Sequence, residues 1–156
     1  MTDNGRFNGF EGVIESDEAL AAIVGTPPPR VRDKVIDHLD DLCREFIASA
    51  PFCMVATANP QGHLDLSPKG DPAGFALVLD DKHLALPDRP GNRRVDSFHN
   101  LLRDPRIGLM FMIPGKGEFL RVRGEARIVA DRALCARMAV ADKVPALATV
   151  VYVEAA

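Results

Sequence analysis

The spacing of apolar residues changes from a helical to a strand pattern near residue 50. In the first part, Ser16 precedes a short segment with acidic residues in its first turn, and Gly25 follows that segment. These end signals predict a capped helix. Residues 31–48 then carry apolar side chains three or four positions apart, the spacing of a helix with one buried face. We therefore predict that residues 1–48 form an N-terminal helical arm.

Several short strands are predicted from residue 51 onwards. FCMVATA is an apolar run closed by the turn NPQGH, HLDLS alternates between apolar and polar residues, and GFALVL and HLALP flank the turn DDK as in a hairpin. RIGLMFMI is apolar on both faces, which predicts a strand buried on both. FLRVRGEARIV alternates and directs one apolar set inward: Leu120, Val122, Ala126 and Ile128. Asp131 is predicted to cap a helix that runs to about residue 141, and ALATVVYVE is predicted as the last strand.

The order of these elements indicates the fold class. Strands joined by hairpins, with few helical crossovers, favour an α+β fold built on an antiparallel β-barrel over a doubly wound parallel sheet. With 156 residues and 16.9 kDa, the chain has the length of one structural domain. We predict that the barrel occupies residues 49–156 and that the helical arm packs on it.

Charge and hydropathy exclude two classes of partner. The formal net charge is −3, made of −5 in residues 1–50 and +2 in residues 51–156. A protein that binds nucleic acid over a broad surface is far more basic, so we expect no nucleic-acid partner. No signal peptide is recognisable at the start, and no apolar run reaches the roughly 18 residues of a membrane span. We therefore expect no membrane partner and a cytoplasmic location.

The cysteines and histidines show no metal-binding spacing. The three cysteines, Cys43, Cys53 and Cys135, are far apart and lie in apolar stretches, which predicts buried free thiols. The four histidines are scattered without an HxxxH or HExxH spacing, and no GxSxG sequence indicates a nucleophilic serine. We predict no metal, and the sequence identifies no catalytic acid, base or nucleophile.

The stretch LPDRPGNRRVDSFHNLL combines clustered cations with the start of a predicted helix. Asn92 is a suitable N-cap, which places Arg93 and Arg94 in the first helical turn. Cations at that position oppose the helix dipole and destabilise the helix unless an anion neutralises them. A phosphate group would do so, because guanidinium groups match phosphate oxygens in pairs. The alternative is that both arginines face water or pair with nearby aspartates.

A second stretch, LDLSPKGDPAGF, points to the same kind of ligand. Ser67, Lys69 and Gly70 follow the alternating strand, so Lys69 offers another cation. Gly70 and Gly74 allow a ligand to approach the backbone closely. Alone, this stretch is more typical of an ordinary polar loop. Together, the two stretches favour an anion site more strongly than either does separately.

These two stretches, with LRVRGEARIV and the N-terminal IESDEALAAIVGTPPPRVRDKVIDHLD, resemble the FMN-binding split-barrel family related to pyridoxamine 5′-phosphate oxidase, over nearly the whole chain. The resemblance implies a six-stranded split β-barrel that forms a homodimer, with FMN at the subunit interface. It also implies three groups of cofactor-binding residues. Those for the phosphate are Asn92, Arg93 and Arg94; those for the ribityl chain and phosphate are Pro87, Asp88 and Arg89; those for the isoalloxazine ring are Ser67, Pro68 and Lys69.

Three functions are compatible with such a barrel. The first, which we favour, is a flavin-dependent oxidoreductase that binds FMN and a small-molecule substrate or electron donor, with the redox chemistry supplied by the cofactor. The second is a non-catalytic barrel that binds haem, a deazaflavin, or FMN without turnover. Haem needs an axial ligand, for which His63 and His83 are the candidates on strands. The third is a barrel without a specific ligand, against which the paired arginines argue.

Overall fold

The computed structural model describes residues 5, 7–28 and 34–156. Its internal contacts separate two units, Met1–Lys34 and Val35–Ala156. The first unit contains helix α1 (Asp17–Val24), in which the backbone N–H of Ala19 donates to Ser16 Oγ at 3.1 Å and after which Gly25 forms the C-cap. Both predicted end signals are therefore confirmed. The boundary between arm and barrel at residues 48 and 49 stays a prediction.

The second helix is shorter than its apolar spacing predicted. Helix α2 spans Asp41–Ser49 instead of residues 31–48, of which residues 31–33 lie outside the described residues. Asp40 caps the helix by accepting a hydrogen bond from the backbone N–H of Cys43 at 2.8 Å. Ile36 instead exchanges two backbone hydrogen bonds with Ala156. The segment before Asp40 is therefore not helical, which side-chain periodicity alone does not reveal.

Seven antiparallel strands form one sheet in the second unit, one for each strand segment of the sequence pattern, whereas the resemblance implied six. In chain order they are β1 (Phe52–Ala58), β2 (Leu64–Gly70), β3 (Leu77–Val78), β4 (His83–Pro87), β5 (Arg106–Met112), β6 (Phe119–Val129) and β7 (Ala148–Ala155). The order across the sheet is β2-β1-β5-β6-β7-β4-β3, so β2 and the short strand β3 are its edges. Two short helices, α3 (Asp96–Leu101) and α4 (Arg132–Ala136), lie between strands. The antiparallel α+β class is confirmed.

One face of the sheet carries the hydrophobic core. Strands β1, β4, β5, β6 and β7 contribute side chains to it, and α2 adds Cys43 and Ile47. Strand β5 was expected to be buried on both faces, but burial alternates along it: Phe111 is fully buried whereas Met110 on the other face is 38% exposed. The expectation was wrong because apolar composition does not tell which apolar side chains the chain itself covers.

Strand β6 follows the predicted alternation and contains an irregularity. Val122 and Ala126 are buried, and Leu120 and Ile128 are half-buried. A β-bulge interrupts the pairing of β6 with β7 at Gly124. Because a bulge bends a strand and increases its twist, this one favours curling of the sheet into a half-barrel.

Helix α4 begins as predicted and ends early. Asp131 accepts a hydrogen bond from the backbone N–H of Leu134 at 3.0 Å, which confirms it as the cap, but the helix ends at Ala136 instead of near residue 141. Ala141 and Asp142 have φ angles of 47° and 63°. This left-handed backbone is incompatible with a continued right-handed helix.

The three cysteines are free and buried. Burial raises the pKa of the Cys43 thiol to about 11 and that of the Cys53 thiol to about 12. Because the thiolate is the reacting form, we expect the native protein to resist iodoacetamide at pH 8 while the guanidinium-unfolded chain is alkylated. Intact-mass spectrometry measures both, and rapid alkylation of the native protein would contradict this burial.

Candidate functional site

An open cleft lies along one edge of the sheet, between strand β2 and the segment that leads from β4 into α3. Its walls are residues 65–69 and 88–98, and its volume is about 450 Å³. This size falls within the range of small-molecule sites. We call it the β2 cleft.

All of the predicted cofactor-binding residues except Pro87 line the β2 cleft. Ser67, Pro68 and Lys69 lie within strand β2 and not in a loop after it, and the opposite wall holds Asp88, Arg89, Asn92, Arg93 and Arg94. Pro87 is buried at the end of β4, opposite Ala148 of β7. The fold therefore brings the two chemistry-bearing sequence stretches to one place.

The polar side chains of β2 face the cleft. Asp65, Ser67 and Lys69 are half-buried and line it, whereas Leu64 and Leu66 are 80% and 69% exposed. An amphipathic strand ordinarily buries its apolar side chains. The reversed arrangement on this edge strand places a carboxylate, a hydroxyl and an ammonium group in a row along one wall.

Helix α3 begins later than predicted, which changes the argument for an anion. Its first residue is Asp96, so Asn92 is not its N-cap, and Arg93 and Arg94 lie in the loop before it. Asn92 Oδ1 instead accepts a hydrogen bond from the backbone N–H of Arg94 at 3.0 Å. The prediction that the two arginines oppose the helix dipole and destabilise the helix is therefore wrong. Affinity for an anion has to come from the side chains of the loop.

This loop contains two left-handed residues that are not glycine. Arg93 has a φ of 62° and Val95 a φ of 46°. Such a conformation is rare, above all for a β-branched residue, and each instance costs about 1–3 kcal/mol. Strained backbone of this kind is concentrated at binding sites, where the surrounding structure maintains it. Both residues line the β2 cleft.

Arg89 acts as a structural tie at the base of the loop. Its Nε lies 2.5 Å from Asp71 Oδ2, and its Nη2 donates to the backbone carbonyl of Met138 at 2.8 Å. Both side chains of the ion pair are largely buried, with 26% and 14% exposure. Since removing one partner of such a pair leaves an uncompensated charge, this guanidinium has little freedom to reorient toward a ligand.

The remaining cations of the cleft are more available. Arg94 Nη2 lies 2.8 Å from Asp96 Oδ2, but the two side chains are 72% and 47% exposed, so the pair contributes only about 0–1 kcal/mol. Within the part of the chain that the structure describes, Arg93 and Lys69 form no ion pair. The cleft thus presents two guanidinium groups and one ammonium group that an incoming anion can engage.

A buried hydrogen-bond network behind the cleft was missed from the sequence. Asn100 of α3 is 4% exposed, and its Nδ2 donates to Thr57 Oγ1 at 3.0 Å and to Asp65 Oδ2 at 2.7 Å. The only sequence signal is a polar residue directly before the apolar pair Leu101 and Leu102. That signal does not distinguish a buried amide from an exposed one.

A second open cavity, of about 440 Å³, lies on the outer face of the sheet, which is the face opposite the hydrophobic core. We call it the outer-face cavity. Its floor crosses β1 and β5 at Ala56 and Gly108, which are directly paired, and Arg123 pairs with Gly108 from β6. Leu66 lines both this cavity and the β2 cleft. The two spaces therefore adjoin along strand β2.

The histidine candidates for haem ligation lie away from both cavities. His83 Nδ1 contacts Asp80 at 2.9 Å and its ring meets Tyr152 edge-on, and His63 lies beside Asn59. Neither lines the β2 cleft or the outer-face cavity. Across residues 5, 7–28 and 34–156, no three His, Cys, Asp or Glu side chains converge as a metal site would require.

Membrane insertion through a helix finds no support in the same part of the chain. None of the described helices has the length and apolar character needed to cross a bilayer.

Comparison with known proteins agrees with this geometry. The family model of pyridoxamine 5′-phosphate oxidase matches residues 39–154, which include strands β1 to β6, all but the last residue of β7, and both walls of the β2 cleft. The chain belongs to the pyridoxamine 5′-phosphate oxidase family. No curated protein matches it by sequence. The predicted split-barrel family is therefore confirmed, and the antiparallel curled sheet with flanking helices is consistent with that fold.

Three solved structures illustrate the similarity of fold. HupZ of Group A Streptococcus is 19% identical with a TM-score of 0.59, over 74% of this chain and 89% of that one. A proposed pyridoxamine 5′-phosphate oxidase of Lactobacillus delbrueckii is 17% identical with a TM-score of 0.58, over 77% and 98%. An F420 reductase is 18% identical with a TM-score of 0.50, over 72% and 92%.

Proposed function

We propose that the protein binds FMN in the β2 cleft and acts as a flavin-dependent oxidoreductase on a small molecule. The observation that carries this proposal is the convergence of Lys69, Arg93 and Arg94 on one cleft in a member of the pyridoxamine 5′-phosphate oxidase family. Neither wall of the cleft would supply all three cations alone.

The donors of the cleft fit a phosphate-bearing cofactor. The two loop guanidinium groups can bind phosphate oxygens in pairs, and the competing pair of Arg94 with Asp96 is weak because it is exposed. Arg93 and Val95 hold the loop in a strained conformation that a bound anion would help to maintain. Arg89, by contrast, is bound by Asp71, so we assign it to supporting the loop and not to direct contact with the phosphate.

The chain's own groups bind and orient, while FMN would supply the redox chemistry when bound. Along β2, the polar side chains Ser67 and Lys69 offer a donor-bearing wall beside which a flat ring can lie. Asp88 and the loop close the opposite side. We assign no general acid or base among these residues.

A second copy of the chain is proposed to complete the site. The outer face carries apolar side chains in register across three strands, with Pro68, Met54 and Met110 in one row, of which Pro68 and Met110 are exposed and Met54 is half-buried. Leu66 lies in the neighbouring row and also lines the β2 cleft. A homodimer formed through this face would cover the apolar rows and place FMN at the interface.

Replacing Met110 by glutamate is expected to convert the dimer into a monomer. Met110 is exposed on the outer face, so a charge there leaves the isolated subunit folded but has to be buried at the proposed interface, which is strongly unfavourable. Light scattering coupled to gel filtration measures the mass. Met110→Leu is the matched control and should remain dimeric. A Met110→Glu dimer would place the interface elsewhere.

A non-catalytic or alternative cofactor role is the second candidate. The F420 reductase among the structural neighbours favours a deazaflavin such as F420 as the alternative ligand, since the same cationic loop would bind its phosphate. Haem is the weaker alternative, because His63 and His83 line neither cavity. FMN sequestration without turnover would use the β2 cleft in the same way as the oxidoreductase.

The visible absorption spectrum of the purified protein, followed by mass spectrometry of the released ligand, tests the proposal. Flavin bands and released FMN would support it, and reduction of the bound flavin by a small-molecule donor would then support turnover. Released F420 or a haem Soret band would favour the second candidate. A colourless protein that takes up none of FMN, F420 and haem would contradict cofactor binding altogether.

A further inference from the structure

One buried side chain joins the two walls of the β2 cleft. Asn100 lies in α3, which continues the wall of residues 88–98, whereas Asp65 lies in strand β2, the other wall. The hydrogen bond from Asn100 Nδ2 to Asp65 Oδ2 is 2.7 Å long, and Asn100 is 4% exposed. This bond is therefore a direct tie between the walls, anchored to the core through Thr57 of β1.

The carboxylate of Asp65 determines which atom of the Asn100 side chain forms this hydrogen bond. An ionised carboxylate only accepts hydrogen bonds, so the amide nitrogen of Asn100, and not its oxygen, must face it. The bond occupies one carboxylate oxygen, Oδ2. Within the described residues the other oxygen, Oδ1, accepts no hydrogen bond from the protein, and Asp65 lines the cleft. The cleft thus contains an acceptor whose position is set from behind.

We propose that Asp65 accepts a hydrogen bond from a hydroxyl or imide N–H of the bound flavin, and that Asn100 is the positioning residue that aims its carboxylate. This inference rests on flavin binding in the β2 cleft. The cleft then recognises two different parts of its ligand, with cations for the phosphate and Asp65 for the neutral donors. Since a carboxylate repels a phosphate, Asp65 also determines in which direction the ligand lies.

Asp65→Asn tests the acceptor role with little change in shape. Asparagine retains an oxygen for Asn100 and loses the charge, and a hydrogen bond to a charged group is roughly twice as strong as a neutral one. We expect the affinity for riboflavin, measured by flavin fluorescence, to fall by a factor of about 10, and that for FMN by the same factor or less, because the substitution also relieves the repulsion between Asp65 and the phosphate of FMN. A loss confined to FMN, or no loss for either, would overturn the proposal.

Asn100→Ala and the double variant test the positioning role. If Asn100 acts through Asp65, Asn100→Ala should weaken riboflavin binding, and adding it to Asp65→Asn should weaken binding no further. Losses that multiply in the double variant would mean that Asn100 acts independently of Asp65. Thr57→Val removes the other hydrogen bond of Asn100 but leaves its bond to Asp65, so it should weaken riboflavin binding less than Asn100→Ala does. An equal or larger loss in Thr57→Val would mean that the anchor to the core, and not the bond to Asp65, carries the effect. Lumiflavin, which lacks the ribityl hydroxyls, should show the Asp65→Asn loss only if the ring N–H is the donor.

The side-chain amide signals of Asn100 test the tie without any flavin. In NMR spectra of the ligand-free protein, Asp65→Asn should shift these signals, and unchanged signals would overturn the tie. A wild-type protein that binds neither FMN nor riboflavin would overturn flavin binding and the acceptor role with it. Flavin binding with an unaffected Asp65→Asn variant would overturn only the inference about Asp65 and Asn100.

Discussion

Replacing Arg93 and Arg94 together by alanine is expected to weaken FMN binding by about 100-fold or more, because each hydrogen bond to a charged group contributes about 1.5–3 kcal/mol. Both side chains line the β2 cleft in the loop before α3. The Arg94–Asp96 pair is too exposed to contribute much stability to the free protein, so the fold should persist. Fluorescence titration measures affinity, and the thermal melt reports on the fold.

Riboflavin and a charge-matched variant identify the origin of that effect. Riboflavin lacks the phosphate, so the double variant should bind it as tightly as the wild type does. Arg132 and Arg137 are exposed around α4 and line neither cavity; replacing both by alanine removes the same charge elsewhere and should leave FMN affinity unchanged. Equal losses for FMN and riboflavin, or for both double variants, would contradict a phosphate contact at Arg93 and Arg94.

Much of this site was predictable because the residues that line it come from two short stretches of the sequence. The cations of NRR and the polar residues of LSPK identified both walls of the cleft, and the antiparallel strands that bring them together followed from period-two alternation. The prediction of a helix start at Asn92 failed because an asparagine can equally close a local turn. Here its side chain accepts a hydrogen bond from Arg94 N–H, which consumes the capping group.

Other features could not be predicted because they depend on contacts between distant parts of the chain. The tie between Asn100 and Asp65 joins residues 35 positions apart, and neither residue type signals burial. Likewise, the apolar residues of β5 indicated a strand but not which of them the single chain leaves exposed, as Met110 is. Where a strand is apolar on both faces, its sequence does not identify which face the chain covers.

Replacing Gly124 by alanine is expected to destabilise the fold by about 3 kcal/mol, at the upper end of the usual cost of overpacking. An added Cβ would lie 1.8 Å from the backbone oxygen of Tyr152, and a backbone atom cannot move aside as a flexible side chain can. The bulge between β6 and β7 would have to open. For a chain of this size, the melting temperature should fall by about 6–12 °C.

Gly117→Ala is the matched control for this substitution. It also adds one methyl group, but in the turn before β6, where nothing lies within 4 Å of the new Cβ, so its melting temperature should stay near that of the wild type. Because the bulge bends β6 beneath Arg121 and Arg123, which line the outer-face cavity, Gly124→Ala should also lower the fraction of dimer at temperatures below its melting point. A variant that melts with the wild type would mean that β6 and β7 accommodate a Cβ by a shift in register, and that the curvature of the sheet does not depend on this glycine.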